Sequence, residues 1–350
     1  KRVTEIAMVD LPLSTPLDVR QGLTKAEDVA HPLNWGIIGS GNISSQWVKS
    51  LQPVPGSNIV AIAAREQEKA KKFADRHGIA SAYGDYEELL ALDEIQVVYI
   101  GTITPLHKEH TLMAIEAGKH VLCEKPLAAN IEDSKEMYAA AEAKGVMLQD
   151  AMWTRFFPAV EHARAAIEAG LIGDPVLVQS DFFDPIYCIQ AAPLAFGADA
   201  AVTNVVAAGK RSAAAVVEFG ENACAVFTFP PFTSELAEVT EIVGTKGRIT
   251  LERPGHCPTK VTLNIPPENG VPSQYRTGNA PAPSQTFEYP LPEHVAIRHA
   301  FPNQHGFLYQ AEAVHRCLAA GLTECPQYGK AESLAAMQIL TEINEARSGK

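Results

Sequence analysis

The chain has 350 residues, 46% hydrophobic and 20% charged. That is an ordinary globular composition, which excludes a disordered, collagen-like or coiled-coil protein and suggests about two domains. Its formal charge is −12, from 29 basic and 41 acidic side chains, so its surface repels phosphate backbones and nucleic acid is not an expected partner. No apolar run approaches the ~18–20 residues of a membrane-spanning helix. The six cysteines, Cys123, Cys188, Cys224, Cys257, Cys317 and Cys325, are scattered without a Cys-x-x-Cys pair, which predicts reduced thiols and no metal site. The expected location is cytoplasmic, or an organelle stroma or matrix if a transit peptide was removed ahead of Lys1.

Residues 1–33, with Pro12, Pro16 and Pro32, read as an N-terminal arm. Organised structure begins with the apolar run Leu33-Asn34-Trp35-Gly36-Ile37-Ile38-Gly39, followed by a helix over 42–51, a strand over 58–64 and a charged helix over 66–77 stopped by Gly78. Helices over 86–92, 106–117 and 131–144 then alternate with strands over 96–101, 120–123 and 147–151. Continuously apolar strands between helices predict a doubly wound parallel sheet, a Rossmann domain over 34–155. Beyond it the pattern changes. A helix over 159–169 precedes strand-like runs at 176–180, 213–219, 223–229, 235–243 and 248–251, several joined by short turns. These predict a second α/β domain over 156–350 with a large, mostly antiparallel open sheet. Residues 264–300 read as a proline-rich surface excursion, and helices over 306–320 and 330–346 close the chain.

Gly39-Ser40-Gly41-Asn42-Ile43-Ser44 lies between the first strand and the first helix and fits G-x-G-x-x-small. The first glycine permits the tight turn, the second lets backbone approach a pyrophosphate, and the small sixth residue allows close helix–strand packing. The helix N-terminus adds free N–H groups and a partial positive charge, a local anion site on an otherwise acidic chain. An NAD site wants Asp or Glu at the end of the second strand, on the ribose hydroxyls. Here that strand ends Ala63-Ala64-Arg65-Glu66. A guanidinium pairs well with a 2′-phosphate and stacks on adenine, so the expected cofactor is NADP, with Lys69 and Lys71 nearby as further positive charge.

Cys123-Glu124-Lys125-Pro126, at the end of the fifth strand, resembles the Glu-Lys-Pro signature of the glucose-fructose oxidoreductase/inositol dehydrogenase (Gfo/Idh/MocA) family. Residues 152–158 (MWTRFFP), Ile186-Tyr187-Cys188, Gly244-Thr245-Lys246-Gly247 and His256-Cys257-Pro258-Thr259 resemble its dimeric dihydrodiol dehydrogenase branch, also described as NADP-dependent D-xylose 1-dehydrogenases. The likeness covers 34–348. It implies hydride transfer between NADP and a cyclic polyol hydroxyl, either an aldose anomeric carbon or a trans-dihydrodiol. It also implies that Lys125 sits beside the nicotinamide and the substrate hydroxyl, with Tyr187 as general acid/base. A phenol with a pKa near ~10 is a poor base at neutral pH, and a neighbouring ammonium and oxidised nicotinamide favour its phenolate. Glu124 is expected to orient Lys125 or close the strand end, Thr102 to border the cofactor, and His107 either to border cofactor or substrate or to cap or pack a helix. Trp153, Arg155 and Asp184 are expected to shape the substrate pocket, with contact to the nucleotide or pairing with an acid as alternatives for Arg155. The family also implies a homodimer, built on a sheet face such as Ala225-Val226-Phe227-Thr228-Phe229.

The chain departs from the family just before Tyr187. Ser180-Asp181-Phe182-Phe183-Asp184-Pro185-Ile186-Tyr187 lacks the usual glycine run and Leu-x-Asp-x-Gly, and Asp184 stands one residue too near the tyrosine. Ala208-Gly209-Lys210-Arg211-Ser212 likewise replaces an acidic stretch. Either the loop is deleted and the substrate wall incomplete, or the sequence as given omits it. The rival expectation is a catalytically impaired scaffold that serves as an assembly or ligand-binding subunit, its arm docking on a partner. A carbonyl or deoxysugar reductase and an NADP sensor are further alternatives.

Overall fold

A computed structural model describes residues 32–54, 56–209, 213–230, 235–266, 283–291 and 301–348. Most of the expected arm, Lys210 to Ser212 and most of the 264–300 excursion lie outside the described residues. The described residues form two compact units, one from 32–156 and 301–337, the other from 157–290 and 338–348.

In the first unit, β1 (Leu33–Ile38), β2 (Ser57–Ala63), β3 (Ser81–Tyr83), β4 (Val97–Ile100), β5 (His120–Cys123) and β6 (Leu148–Asp150) form a parallel sheet in the order β3-β2-β1-β4-β5-β6. The crossovers are α1 (Asn42–Leu51), α2 (Gln67–His77), α3 (Tyr86–Leu90), α4 (His107–Glu116) and α5 (Ile131–Lys144). The order reverses between β1 and β4, and the carboxyl ends of those strands flank the crevice where such sheets bind ligands. β4 is buried along its whole length, as its uninterrupted apolar sequence requires of a strand covered on both faces. Asp85 accepts from the Glu87 N–H to cap α3, and Asn130 accepts from the Asp133 N–H to cap α5. The core is aromatic: Trp47 stacks on Tyr99 at 4.1 Å and meets Trp35 edge-on at 5.0 Å. Trp35 Nε1 donates to Nε2 of His315 (3.2 Å) on α9 (Phe307–Ala319). The three-residue β3 was not expected, because a run that short carries no periodicity.

In the second unit, β7 (Pro175–Asp181), β8 (Val202–Ala208), β9 (Ala213–Phe219), β10 (Ala223–Phe229), β11 (Thr240–Gly244), β12 (Arg248–Leu251), β13 (Lys260–Asn264) and β14 (Ser284–Glu288) make an eight-stranded sheet. Its order is β14-β13-β12-β11-β7-β10-β9-β8, antiparallel except where β7 meets β10. β9 alternates buried and exposed along its length, so one face of that strand is covered and the other open. α6 (Pro158–Glu168) packs on β12 and β13, and α8 (Ala191–Phe196) on β7. The closing helix, α10 (Lys330–Ser348), contributes to both units.

The fold class matches the expectation, with differences in detail. The strand expected from 235 begins only at Thr240. Glu238 adopts φ 51°, and the N–H groups of Glu238 and Val239 go to the Asp181 carboxylate (3.0 and 3.2 Å) rather than to a ladder. β8, β13 and β14 were missed. β14 stands within the stretch read as an excursion, where its short alternation is hidden among prolines and polar residues.

Candidate active site

Gly39 follows β1 with φ 102°, a conformation L side chains rarely adopt, and a Cβ there would meet Thr102 Cγ2 at 2.9 Å. Its N–H donates to the Ala63 carbonyl (2.9 Å), which fixes the loop to the end of β2. Ser40 is half-buried, Gly41 and Asn42 are exposed, and Ile43 is half-buried. Gly41 precedes α1 in an extended conformation, and no side chain among the described residues is seen to cap the helix there. Its absent Cβ would make only an ordinary 3.7 Å contact with the Gly101 carbonyl. The loop therefore presents an open, uncapped helix N-terminus, which fits a dinucleotide pyrophosphate. Ser44 Oγ donates to the same Gly101 carbonyl (3.3 Å). A Cβ on Gly101 would stand 2.2 Å from Ser44 Oγ and 2.7 Å from Tyr99 Cε1. Sequence reading passed over Gly101 as a site residue, since it lies outside the glycine motif and only the close approach of α1 exposes its necessity.

Arg65 is exposed just past β2. Its neighbour Glu66 pairs with Lys69 at 2.5 Å, and Lys69 is the main cause of that carboxyl's lowered pKa, so Glu66 is engaged away from Arg65. Lys71 pairs with Asp75 (2.8 Å). Both lysines expected to supplement Arg65 thus have carboxylate partners. The Arg65 charge instead reaches Tyr86 and His110, whose rings meet at 4.6 Å. Thr102 Oγ1 is hydrogen-bonded to His110 Nδ1 (3.0 Å). Arg65, Tyr86, His110 and Thr102 form a cationic, aromatic corner beside the glycine loop. Tyr86 and His110 carried no motif, and only the fold brings them there.

At the end of β5, Glu124 is buried and accepts a 2.6 Å hydrogen bond from the Tyr99 hydroxyl. Lys125 is half-buried, and its peptide bond to Pro126 is cis. His107, expected beside the cofactor, is only 1% exposed. Its ring nitrogens lie 3.0 Å from the Pro126 carbonyl and 3.1 Å from the Thr102 carbonyl. Burial is the main reason its pKa is lowered. Its observed role is to brace the Glu-Lys-Pro turn against the loop after β4. Trp153 is buried against Phe307 (4.5 Å) and Phe301 (5.8 Å). Arg155, expected to line a pocket, is fully buried, pairs with Glu332 at 2.5 Å and lies over the Tyr328 ring at 5.1 Å. Its charge is thus already paired with a carboxylate inside the fold.

In the second unit, three residues separate the end of β7 at Asp181 from α7 (Pro185–Ile189), which carries Tyr187. Asp184 is the residue before that helix, and its carbonyl accepts from the Tyr187 N–H (3.2 Å). Tyr187 is half-buried, edge-on to Phe182 at 5.2 Å and to His256 at 5.4 Å, while Phe182 and His256 stack at 4.3 Å. His256 Nδ1 lies 3.6 Å from Glu238 Oε2. The His-Cys-Pro-Thr motif thus meets the tyrosine through its histidine, a partner that sequence spacing did not reveal.

Residues 33–151 match the Gfo/Idh/MocA family, described as an oxidoreductase family with an NAD-binding Rossmann fold. The chain is 33% identical over 344 residues to the trans-1,2-dihydrobenzene-1,2-diol dehydrogenase of Sus scrofa, covering 90% of this chain and 96% of that one. It is 35% identical over 343 residues to the enzyme of the same name from Danio rerio (89% and 95%). Among solved structures, a levoglucosan dehydrogenase in complex with NADH and L-sorbose superposes with a TM-score of 0.73 at 21% identity, over 91% of this chain and 97% of that one. KijD10, a 3-ketoreductase from Actinomadura kijaniata in complex with NADP, superposes at 0.69 and 22% identity (90% and 98%). The glycine loop at the sheet's switch point, the Glu-Lys-Pro turn and this near full-length likeness together make the chain a member of the Gfo/Idh/MocA oxidoreductase family.

Proposed function

We propose that this protein is an NADP-dependent dehydrogenase that oxidises a secondary hydroxyl of a cyclic substrate, a trans-dihydrodiol or the anomeric hydroxyl of an aldose such as D-xylose. The observation that carries the reading is Arg65, in the position where an NAD site would place a carboxylate, beside an open glycine loop in a chain one-third identical to trans-dihydrodiol dehydrogenases along 90% of its length. Bound NADP supplies a hydride acceptor. Gly39, Ser40, Gly41, Asn42 and Ile43 would hold its pyrophosphate on α1, and Arg65 its 2′-phosphate. Thr102 and Glu124 would border the nicotinamide half through the crevice at β4 and β5. His107 is read as bracing that border.

Lys125 and Tyr187 manage the hydroxyl proton in this reading. A cation near a phenol favours its phenolate, which in this reading would take the proton as the C–H bond breaks. Trp153 and Asp184 would each touch the substrate, and Arg155, held by Glu332, would stiffen the chain beside Trp153. A polyol is neutral, so the acidic surface of the protein does not repel it. The six cysteines have no disulfide, which suits a reducing compartment such as the cytoplasm. Val206 and Val216, exposed on β8 and β9, suit a homodimer formed on the open sheet face. No helix among the described residues is long and apolar enough to cross a membrane.

One observation favours a second reading. The three-residue link from β7 to α7 leaves little chain to wall a substrate, as an assembly or ligand-binding scaffold without turnover would tolerate. A cofactor-reduction screen separates the two. With trans-dihydrodiols and aldoses, NADP but not NAD should be reduced at 340 nm; tight NADPH binding with no turnover on any substrate supports the scaffold.

A further inference from the structure

Glu238 stands just before β11 with φ 51°, in the left-handed region that glycine and asparagine enter most easily and that is unfavourable for other L-residues. Three backbone contacts pin it there. Its N–H donates to Asp181 Oδ2 (3.0 Å), the N–H of Val239 donates to Oδ1 of the same carboxylate (3.2 Å), and its carbonyl accepts from the Gly255 N–H (2.6 Å). A Cβ on Gly255 would stand 2.7 Å from that carbonyl oxygen, so the close approach of the two segments requires a glycine. A pinned, unfavourable backbone of this kind is kept where the side chain it carries is needed.

That side chain reaches His256, the residue after Gly255. Its Oε2 lies 3.6 Å from the imidazole Nδ1, within ion-pair reach, and the other ring nitrogen, Nε2, lies 3.3 Å from Cys257 Sγ. The imidazole is buried against two aromatic rings. It stacks on Phe182 at 4.3 Å and 23°, and meets Tyr187 edge-on at 5.4 Å and 68°. Phe182 is itself edge-on to Tyr187 at 5.2 Å. The three rings form a closed triangle in which each limits the tilt of the other two. Asp181 ends β7, directly before Phe182, so its carboxylate ties the turn that carries Glu238 to the strand end that leads to the tyrosine. A position that only had to pack on Phe182 and Tyr187 would be served by an apolar ring, without the cost of burying ring nitrogens. The χ2 torsion of a histidine is broad, so stacking alone leaves the imidazole two ways round, and a carboxylate at Nδ1 selects one of them.

We propose that Glu238 and His256 are a positioning pair for Tyr187: the carboxylate sets the orientation of the imidazole, and the imidazole, packed edge-on, sets that of the phenol ring. For catalysis this rests on the dehydrogenase reading, in which the Tyr187 phenolate takes the substrate proton. A general base works only within hydrogen-bond reach of that proton, and small misplacements are costly, so a tyrosine on a five-residue helix gains from outside support. Glu238 acts through His256 and His256 through Tyr187, and neither touches substrate or cofactor in this account.

The test does not require turnover. The cofactor-free protein is made with tyrosine isotopically labelled at Cζ, and NMR follows the Tyr187 line, identified by its loss in Tyr187→Phe. Glu238→Asn supplies a residue suited to the left-handed backbone and withdraws the carboxylate from the imidazole. Its Tm should equal or exceed that of wild type while the Tyr187 line moves by more than its own width. A glutamate that served the fold alone would show a fall in Tm without that move. His256→Phe keeps an aromatic ring and leaves Glu238 no nitrogen to hold, so in that background Glu238→Asn should leave the Tyr187 line where it is. Glu238→Gln should move the line in the same direction by less, and it carries the test if Glu238→Asn fails to fold. A Tyr187 line that stays in place in the folded Glu238 variant, or moves equally with and without His256, overturns the proposal. In the NADP-reduction assay, Glu238→Asn should lower kcat about tenfold and leave KM for NADP unchanged. A moved line without any wild-type turnover sinks the dehydrogenase reading and leaves the hold of Glu238 and His256 on Tyr187 standing. Normal turnover with an unmoved line does the reverse.

Discussion

The Tyr99 hydroxyl donates a 2.6 Å hydrogen bond to Glu124 Oε1, joining the centre of the parallel sheet to the residue before Lys125. Tyr99 is fully buried and stacked on Trp47, so it cannot drift, and Glu124 is held from below. Tyr99→Phe removes this donor from a buried carboxylate without changing the packing. It should cost about 1–3 kcal/mol of unfolding free energy, read from urea denaturation midpoints at constant slope.

Gly101 and Ser44 make the second coupled pair. Gly101→Ala places a methyl against Ser44 Oγ and should destabilise by about 1–3 kcal/mol or more while weakening NADPH binding through displacement of α1. Adding Ser44→Ala removes the closer clash and leaves the Tyr99 contact, so the double variant should recover part of the loss. A double-mutant cycle measured by thermal unfolding and NADPH fluorescence checks this; strict additivity would contradict it.

Arg65 decides cofactor choice in this account. Arg65→Ala should weaken NADPH binding about 10–100-fold, the value of a charge-assisted phosphate contact, and leave NADH binding within about twofold. Fluorescence titration of both nucleotides measures it. Equal losses for the two would mean that Arg65 serves the fold and not the 2′-phosphate.

The Asp150 carboxyl, buried at the end of β6, ties stability to pH. Its folded pKa of about 7 lies above the ordinary value of 3.8, so the folded state binds its proton more tightly than the unfolded state. Its contribution is therefore fully present below about pH 4 and is lost as pH rises through 7. Asp150→Asn lacks this titration. The Tm of wild type should fall relative to that of Asp150→Asn between about pH 4 and 7 and level off above, by calorimetry in matched buffers; a constant difference would contradict the assignment.

The sequence displayed its parallel half more fully than its antiparallel half. Most βα units announced themselves by an apolar strand and an amphipathic or charged helix, and three of the helices by a glycine just after them, as in the helix stopped at Gly78. The open sheet was harder to read because strands such as β9 are covered on one face only. Val202–Ala208 and Ser284–Glu288 have weak patterns, and the start of β11 is set by Asp181, a residue far away in sequence. The site divided along the same line. Gly39 and Lys125 stand in motifs that a sequence displays. Tyr86, His110 and Gly101 were not legible, since only strand order and register bring them to the crevice. Arg155 was open to a pocket role or to pairing with an acid, and only the fold shows the buried pair with Glu332, because charge in a sequence does not disclose burial.

The most direct test of the central claim is steady-state turnover of NADP with a trans-dihydrodiol or D-xylose, comparing wild type with Lys125→Met and Tyr187→Phe. Wild type should reduce NADP, and each variant should lose at least about a hundredfold in kcat, the usual scale for removing a general acid/base, with NADPH binding kept within a few-fold. Undiminished turnover in both variants, or a wild type that binds NADPH and reduces no NADP with any cyclic diol or aldose, would contradict it.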